Sequence, residues 1–327
     1  MKNVKKLLIF ATISTFVFAS WTRTNALGGN AGYWADDYAN VSSFPADVNN
    51  HNVAYTNGAD FTSIFNSDGT TWGFSGGTGD DVANVMWGNG TMGASFSLAR
   101  TPDNDDTDAD ESNNAINAGF GMPLAGMDFG ATYASGGTIG INLRRAQDVW
   151  VWDNMLINFS NTSDDSDTET NEADMSLGIS CYSNTTYDSG TSSLFALGFD
   201  YGKMGDDDAT MGITWTFAVE SAMTDWATLR VGYTHGYDFS SGGTDVAASD
   251  DTMACDADGA AHDTAGLACG DAVDQVGGLT LGLGFNYGSF ALDMSVGSGA
   301  MFNNPVHYIT GRNTDDLGAN WTISYNW

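Results

Sequence analysis

The chain has 327 residues, 41 of them glycine and only 4 proline, with 12 % aromatic residues and a formal net charge of −31. Ten basic residues against 41 acidic ones exclude a nucleic-acid-binding surface, which needs clustered positive charge. After the N-terminus no run of 18 or more apolar residues occurs, which excludes a helical membrane protein of the usual kind.

The first element has the parts of a secretory signal, assigned to residues 1–20. Lys2, Lys5 and Lys6 form the basic region, Leu7 to Ala19 the apolar one, and cleavage is expected near Ala19–Trp21. Loss of the three lysines takes the mature charge to near −34 and leaves Arg23, Arg100, Arg144, Arg145, Lys203, Arg230 and Arg312 as its basic residues. This balance suits a cation-attracting field at a pore mouth, and equally plain solubility in a salty habitat.

Residues 21–69 come next, read as an N-terminal plug-like segment. The stretch 27–50 does not alternate and reads as irregular or short-helical. Two short strand patterns follow near 51–56 and 61–66.

From residue 70 to the end, alternation dominates. Met92, Ala94, Phe96 and Leu98 alternate with Gly93, Ser95 and Ser97; Met211, Ile213, Trp215, Phe217 and Val219 alternate with Thr210, Gly212, Thr214, Thr216 and Ala218. Leu279, Leu281, Leu283 and Phe285 alternate with Gly278, Thr280, Gly282 and Gly284. Successive side chains of a strand face opposite ways, so one face is greasy and the other wet.

A soluble sandwich would also alternate, but its outer face would carry Lys, Glu and Arg. Here that face is Gly, Ser, Thr and Ala, so the bulky apolar face is the one turned outward. Aromatics stand toward strand ends at Trp72, Trp87, Trp150, Trp152, Trp226, Trp321 and Trp327, as in membrane-barrel girdles. Short and long connections alternate too. Segments 101–112, 160–171, 237–274 and 298–318 are expected outside the cell. The turns at Gly88–Gly90, Pro123–Gly126, Arg145–Asp148, 183–191, Glu220–Thr224 and Tyr287–Gly288 are expected in the periplasm.

The expectation is an all-β, transmembrane antiparallel barrel of about 14 strands over residues 70–327, or 16 if the two short patterns join it, with an N-terminal segment in the lumen. The last strand, with Trp321, Ile323, Tyr325 and Trp327 on one face, is expected to be the assembly signal that closes the wall.

The N-terminal segment resembles the opening of the FadL-like superfamily of outer-membrane barrels, which includes the PorV and PorQ types. That opening has a pattern near A-[LM]-G-G-x-[AS], then D-D, A and N-P-A. Here it is Ala26-Leu27-Gly28-Gly29-Asn30-Ala31, Asp36-Asp37, Ala39-Asn40 and Phe44-Pro45-Ala46, with Phe44 where the family has Asn. The match covers about 20 residues. The resemblance implies a barrel of 14 or so strands with Gly28, Gly29, Asp36, Asp37, Asn40 and Pro45 in a lumenal plug.

Charged residues on the wet face are the candidates for lining the lumen: Asp128, Arg144, Asp174, Asp200, Arg230 and Asp293. Turning an Arg toward lipid at mid-depth costs roughly 2–4 kcal/mol, so alternation points these groups inward, where they line a pore or pair with the plug and with each other. The acidic stretches Asp103–Glu111, Asp164–Glu169, Asp206–Asp208 and Asp245–Asp274 form a solvated rim or hold Ca²⁺, but no full calcium loop is present. No metal site and no cofactor are expected. His51, His235, His262 and His307 assemble into no triad, so no enzyme is expected. Cys255 and Cys269, fourteen apart in one polar loop, are a disulfide candidate after export, and Cys181 lies on the apolar face of its strand.

The expected location is the bacterial outer membrane, and the expected partners are its lipid and lipopolysaccharide, the barrel-assembly machinery and small solutes. Two functions fit: porin-like or FadL-like passive transport, and a non-conducting structural or secretion-accessory barrel.

Overall fold

The computed structural model describes residues 20–77, 81–101, 113–146, 151–163, 173–203, 205, 209–238, 277–296 and 319–327. A short helix, α1 (Trp21–Ala26), and three 3-10 turns at Ala31–Tyr33, Tyr38–Ser42 and Pro45–Asn50 precede sixteen strands. These are β1 (Val53–Thr56), β2 (Asp60–Ser67), β3 (Thr70–Gly77), β4 (Asp81–Gly88), β5 (Gly93–Thr101), β6 (Asn113–Leu124), β7 (Met127–Ala134) and β8 (Thr138–Arg145). Then come β9 (Asn154–Thr162), β10 (Asp174–Thr186), β11 (Thr191–Lys203), β12 (Thr210–Thr224), β13 (Ala227–Asp238), β14 (Gly277–Tyr287), β15 (Phe290–Val296) and β16 (Ala319–Asn326).

All pair antiparallel with their sequence neighbours, and β1 closes on β16 from Val53 opposite Asn326 to Thr56 opposite Ile323. Closure leaves no unpaired strand edge. The strand count is therefore sixteen, because both short N-terminal patterns enter the wall as β1 and β2. The wall begins at Val53 rather than at residue 70, and the lumenal segment is correspondingly shorter, residues 20–52.

Three expected turns are narrower than the sequence suggested; β6 runs through Leu124, so Pro123–Gly126 shrinks to Ala125-Gly126, and two others shrink more. β12 continues to Thr224, so the connection is Asp225-Trp226 and Glu220 lies within the strand. β10 and β11 also run further, leaving only 187–190 between them. In the latter two places the alternation persists through small polar residues, which look like turn residues in isolation.

Alternation sets the two faces as expected. Phe96, Phe120, Ile141, Phe195, Leu197, Ile213, Phe217, Leu283 and Ile323 are exposed on the outside, while Leu156, Leu194, Ala196 and Ala218 are buried inside. A barrel with its bulky apolar side chains outward is the inverse of a soluble one.

The two ends of the barrel differ. The start of β1 and the end of β16 share one end with the connections 68–69, 89–92, 125–126, 146–153, 187–190, 225–226 and 288–289. The connections 102–112, 163–173, 239–276 and 297–318 leave from the other. At the short-turn end, Asp68-Gly69 and Ala125-Gly126 have positive φ at both central residues (53° and 81°, 52° and 79°), the conformation of tight hairpin turns matched to strand twist. Trp72, Trp87, Trp152, Trp226 and Trp327 also stand at this end, and Trp321 stands toward the long-connection end. Trp150 lies outside the described residues.

Candidate functional site: a lumen floored by the N-terminal segment

The segment 20–52 lies inside the barrel and touches wall strands around its circumference. α1 packs on β13 to β16, and the Pro45–Asn50 turn packs on β3 to β6. Tyr33 donates to Ser180 Oγ at 3.0 Å, Asn184 Nδ2 donates to Tyr33 O at 2.6 Å, and Asn142 Nδ2 donates to Ser43 O at 3.1 Å, which adds β8 and β10. Thr280 and Thr234 hydroxyls donate to the carbonyls of Ala26 and Gly28 at 3.0 and 3.2 Å. Asn49 holds the β4–β5 turn by donating to Met92 O and accepting from Gly90 N, at 3.0 and 2.7 Å.

Two apolar clusters sit under this segment. Leu27, Tyr33, Trp34 and Phe44 pack with Leu156, Tyr182, Leu194, Ala196 and Ala218 of the wall. Tyr38, Val41 and Val48 pack with Val53 and Ile64. These inward apolar residues are the minority that break the wet-face rule, and each meets the plug.

Two buried ionic networks fix the segment. In the first, Arg23 of α1 donates to both carboxylate oxygens of Glu220 on β12, Nε at 2.9 Å and Nη2 at 3.2 Å. Arg230 of β13 donates to the same Glu220 at 2.6 Å and to Asp293 of β15 at 2.6 Å. Arg23 also lies 3.6 and 3.7 Å from Asp36 and Asp37. In the second, Arg144 of β8 bridges Asp47 of the plug and Asp128 of β7, each at 2.9 Å, and its guanidinium covers the Phe44 ring at 4.5 Å.

The motif residues do local work. Gly28 and Gly29 take φ of 95° and 87°, turning the chain after α1. Asp37 caps the second 3-10 turn by accepting from Ala39 N at 2.9 Å and takes the Thr24 hydroxyl at 2.7 Å. Asn40 Nδ2 donates back to Trp34 O and Asp37 O. Pro45 starts the third turn, and Asp36 stays largely exposed. Phe44, the position at which the resemblance breaks, is buried beneath Arg144.

Burial raises the Asp37 carboxyl to about 7 against the pull of Arg23, and burial lowers the His51 imidazole to about 4. Burial also raises Asp47, offset in part by Arg144.

The wall makes room for the plug with glycine. A Cβ at Gly130 would fall on Ser43 O, and one at Gly232 would stand 2.5 Å from Gly28 N. Only a residue without a side chain lets the two backbones approach this closely.

All six lumen candidates from the sequence lie on the inward face, but they divide. Asp128, Arg144, Arg230 and Asp293 belong to the plug networks. Asp174 and Asp200 stand in the open half of the lumen, accepting from Gly205 N and Thr214 Oγ1, each at 2.9 Å. Sequence reasoning missed Arg23, Asp47 and Glu220. For Glu220 the usable signal was alternation, since it follows Thr216 and Ala218 on the inward face.

Inward side chains lose exposure from the long-connection end to the short-turn end until the plug is passed. Along β10 Asp174 and Ser176 are exposed and Ser180 and Tyr182 buried; along β12 Thr210 is exposed and Thr216, Ala218 and Glu220 buried. The lumen is thus a cup, open toward the long connections and floored at the short-turn half. Trp321, Ile323 and Tyr325 lie on the outward face of β16. Cys181 is a free thiol on the outward face of β10, and Cys255 and Cys269 lie outside the described residues, as do the four acidic stretches, His262 and His307.

No family model and no curated protein matches this chain. Among solved structures, a refined porin shares 10 % identity over 84 % of this chain and 96 % of its own, with a TM-score of 0.42. Wzi, an outer membrane protein involved in group 1 capsule assembly in Escherichia coli and described as a carbohydrate-binding β-barrel, shares 11 % over 83 % of this chain and 70 % of its own, with a TM-score of 0.40. A mutant of Rh. blastica porin shares 11 % over 82 % and 89 %, with a TM-score of 0.35.

Proposed function

We propose that the protein is a bacterial outer-membrane barrel for passive transport, porin-like or FadL-like, with its lumen plugged. Small solutes enter its cup from the long-connection mouth, and in the resting state their passage is blocked by residues 20–52. The apolar outer belt is the surface that lipid and lipopolysaccharide cover, since a closed wall satisfies every backbone group internally. The short-turn end is then periplasmic, and delivery uses the signal segment 1–20 and the barrel-assembly machinery.

The observation that carries this reading is the plug's ring of wall contacts combined with the exposure gradient along β10 and β12. An open porin needs a free cross-section, and here the cross-section holds a packed segment. The second reading, a non-conducting structural or secretion-accessory barrel, draws on the two buried ionic networks, because a segment held this firmly suits permanent closure.

Planar-bilayer recording separates these. A steady open conductance from the wild type refutes the plugged reading. Brief openings on a silent baseline, made long-lived by deleting residues 21–50, support gated transport. Silence in the wild type with conductance only in the deletion supports the accessory barrel.

A further inference from the structure

The open half of the lumen has a chemistry that separates it from both the plug and the outer belt. On the arc from β5 to β12, the inward side chains above the plug are Asn, Ser, Thr, Gly, Ala and Asp throughout. They pair across strands into a polar lining. Asn117 Nδ2 donates to Ser97 Oγ at 3.0 Å, Asn158 Nδ2 donates to Asn142 Oδ1 at 2.6 Å, and Ser160 and Ser176 share a bond of 2.7 Å. No large apolar side chain faces the cup on this arc among the described residues; Ile141, Ile179, Phe199 and Ile213 all turn outward.

The charges divide in the same way. Among the described residues, the inward-facing or plug-borne cations are Arg23, Arg144 and Arg230, and all three are buried in ion pairs. Those three face six carboxylates: Asp36, Asp37, Asp47, Asp128, Glu220 and Asp293. Arg100, Arg145 and Lys203 share the outward faces of their strands. Among the described residues, the carboxylates left exposed on the inward face of the wall above the plug are Asp60, Asp174 and Asp200.

We infer that the cup admits small hydrophilic solutes that are cationic or neutral and carry hydroxyl or amine donors, and that it disfavours fatty and anionic ones. This rests on the plugged-barrel reading above for the location of the cup. A lining of carboxamides and hydroxyls satisfies donors that a solute loses from water, whereas it gives an alkyl chain nothing to bury against. Carboxylates within low-dielectric walls concentrate cations and repel anions.

The test is thiol chemistry in the reconstituted full-length barrel with Cys181, Cys255 and Cys269 replaced by Ser. Ser176→Cys, and separately Asn117→Cys, are reacted with a trimethylammonium-bearing and a sulfonate-bearing methanethiosulfonate, each normalised to its rate with a free thiol. The normalised cation-to-anion ratio should be about tenfold at low salt and fall toward one at high salt. Asp174→Asn with Asp200→Asn should lower it. A ratio of one or below at low salt overturns the inference, as does faster reaction with an uncharged alkyl reagent than with the cationic one. Thr216→Cys, beneath Gly28, should react far more slowly than Ser176→Cys. If it reacts equally fast, the plug reading fails, while the charge preference at Ser176→Cys is judged on its own ratio.

Discussion

Arg23, in the short helix α1, donates two hydrogen bonds to Glu220, 197 residues later on β12. Glu220 in turn is shared with Arg230, so one carboxylate joins the plug to the wall and both to Asp293. The pair is buried, so neither charge can return to water while the plug is seated. Breaking a buried pair from one side typically costs about 3–5 kcal/mol, because a desolvated charge is left behind.

Arg23→Met and Glu220→Gln should therefore both shift the plug toward release. Arg23→Met is the cleaner variant, since it leaves the Glu220–Arg230 pair of the wall intact. Single-channel recording should show a large rise in open probability, with the barrel still heat-modifiable on a gel. Conductance equal to wild type in both variants would show that this network does not hold the plug.

The wall glycines make a second expectation. Gly130→Val places a side chain where Ser43 O now lies, while Gly178→Val, in the open half, meets only Asp200 Oδ1 at 3.3 Å. Overpacking typically costs about 1–3 kcal/mol, and here it falls on the plug contact. Protease cleavage within residues 20–52 should rise in Gly130→Val and stay at the wild-type level in Gly178→Val. Equal sensitivity in the two would mean that wall bulk at the contact is irrelevant.

Two plug groups predict opposite responses to acid. Asp37 titrates at about 7 when seated against an ordinary 3.8, chiefly through burial. The seated form thus holds a proton that the released form loses, and seating is favoured as pH falls from about 7 toward 4. His51 titrates at about 4 when seated against 6.5, again through burial, so release is favoured as pH falls from 6.5 toward 4. The two nearly offset one another in the wild type. His51→Phe should make acid tighten the plug, and Asp37→Asn should make acid loosen it, both read from proteolysis of residues 20–52 across this window. The same pH slope in both variants would defeat the assignment.

The closing strand gives a fourth. Tyr325 lies opposite Ala54 of β1 and Phe290 of β15, with its ring 4.8 Å from that of Phe290. It also lies 5.9 Å from the ring of Trp327. β1 is only four residues long, so the seam depends on β16. Tyr325→Asp with Trp327→Asp, or removal of Trp327, should block assembly and leave unfolded chain for periplasmic proteolysis. A normal heat-modifiable barrel after either change would rule out this role.

The wall was legible because period-two alternation is a local signal that survives without knowledge of partners, as in Met211 to Val219. Which face turns outward was legible for the same reason: bulky residues on one face and Gly, Ser and Thr on the other admit one arrangement in a closed sheet. The plug was visible as a break in that pattern, and its family-like motif placed Gly28, Asp37 and Asn40 within it. What holds the plug was not visible, because Arg23–Glu220 and Arg144–Asp47 span 197 and 97 residues, and no spacing rule connects them. The wall glycines were equally ambiguous. Gly130 reads as one more small wet-face residue until Ser43 is seen against it.

The cysteines offer the last expectation. Cys181 sits on the outward face of β10 beside Leu197 of β11 and Met155 of β9, where the neighbours across the ladder are apolar. It is a free thiol. Cys255 and Cys269 share the connection between β13 and β14, which leaves from the end opposite the plug. If the barrel is exported as proposed, its loops meet an oxidising compartment, where two thiols fourteen residues apart should pair, and closing a loop of this length is worth about 3 kcal/mol by chain-entropy reckoning. That gain stays in the connection, because the wall completes its own hydrogen bonds with or without it. Reduction should therefore leave the heat-modifiable barrel unchanged. Alkylation without reductant followed by mass spectrometry should give one modified cysteine, Cys181. Three modified cysteines would show that the loop thiols remain apart, and a modified Cys255 or Cys269 with protected Cys181 would place the bond elsewhere.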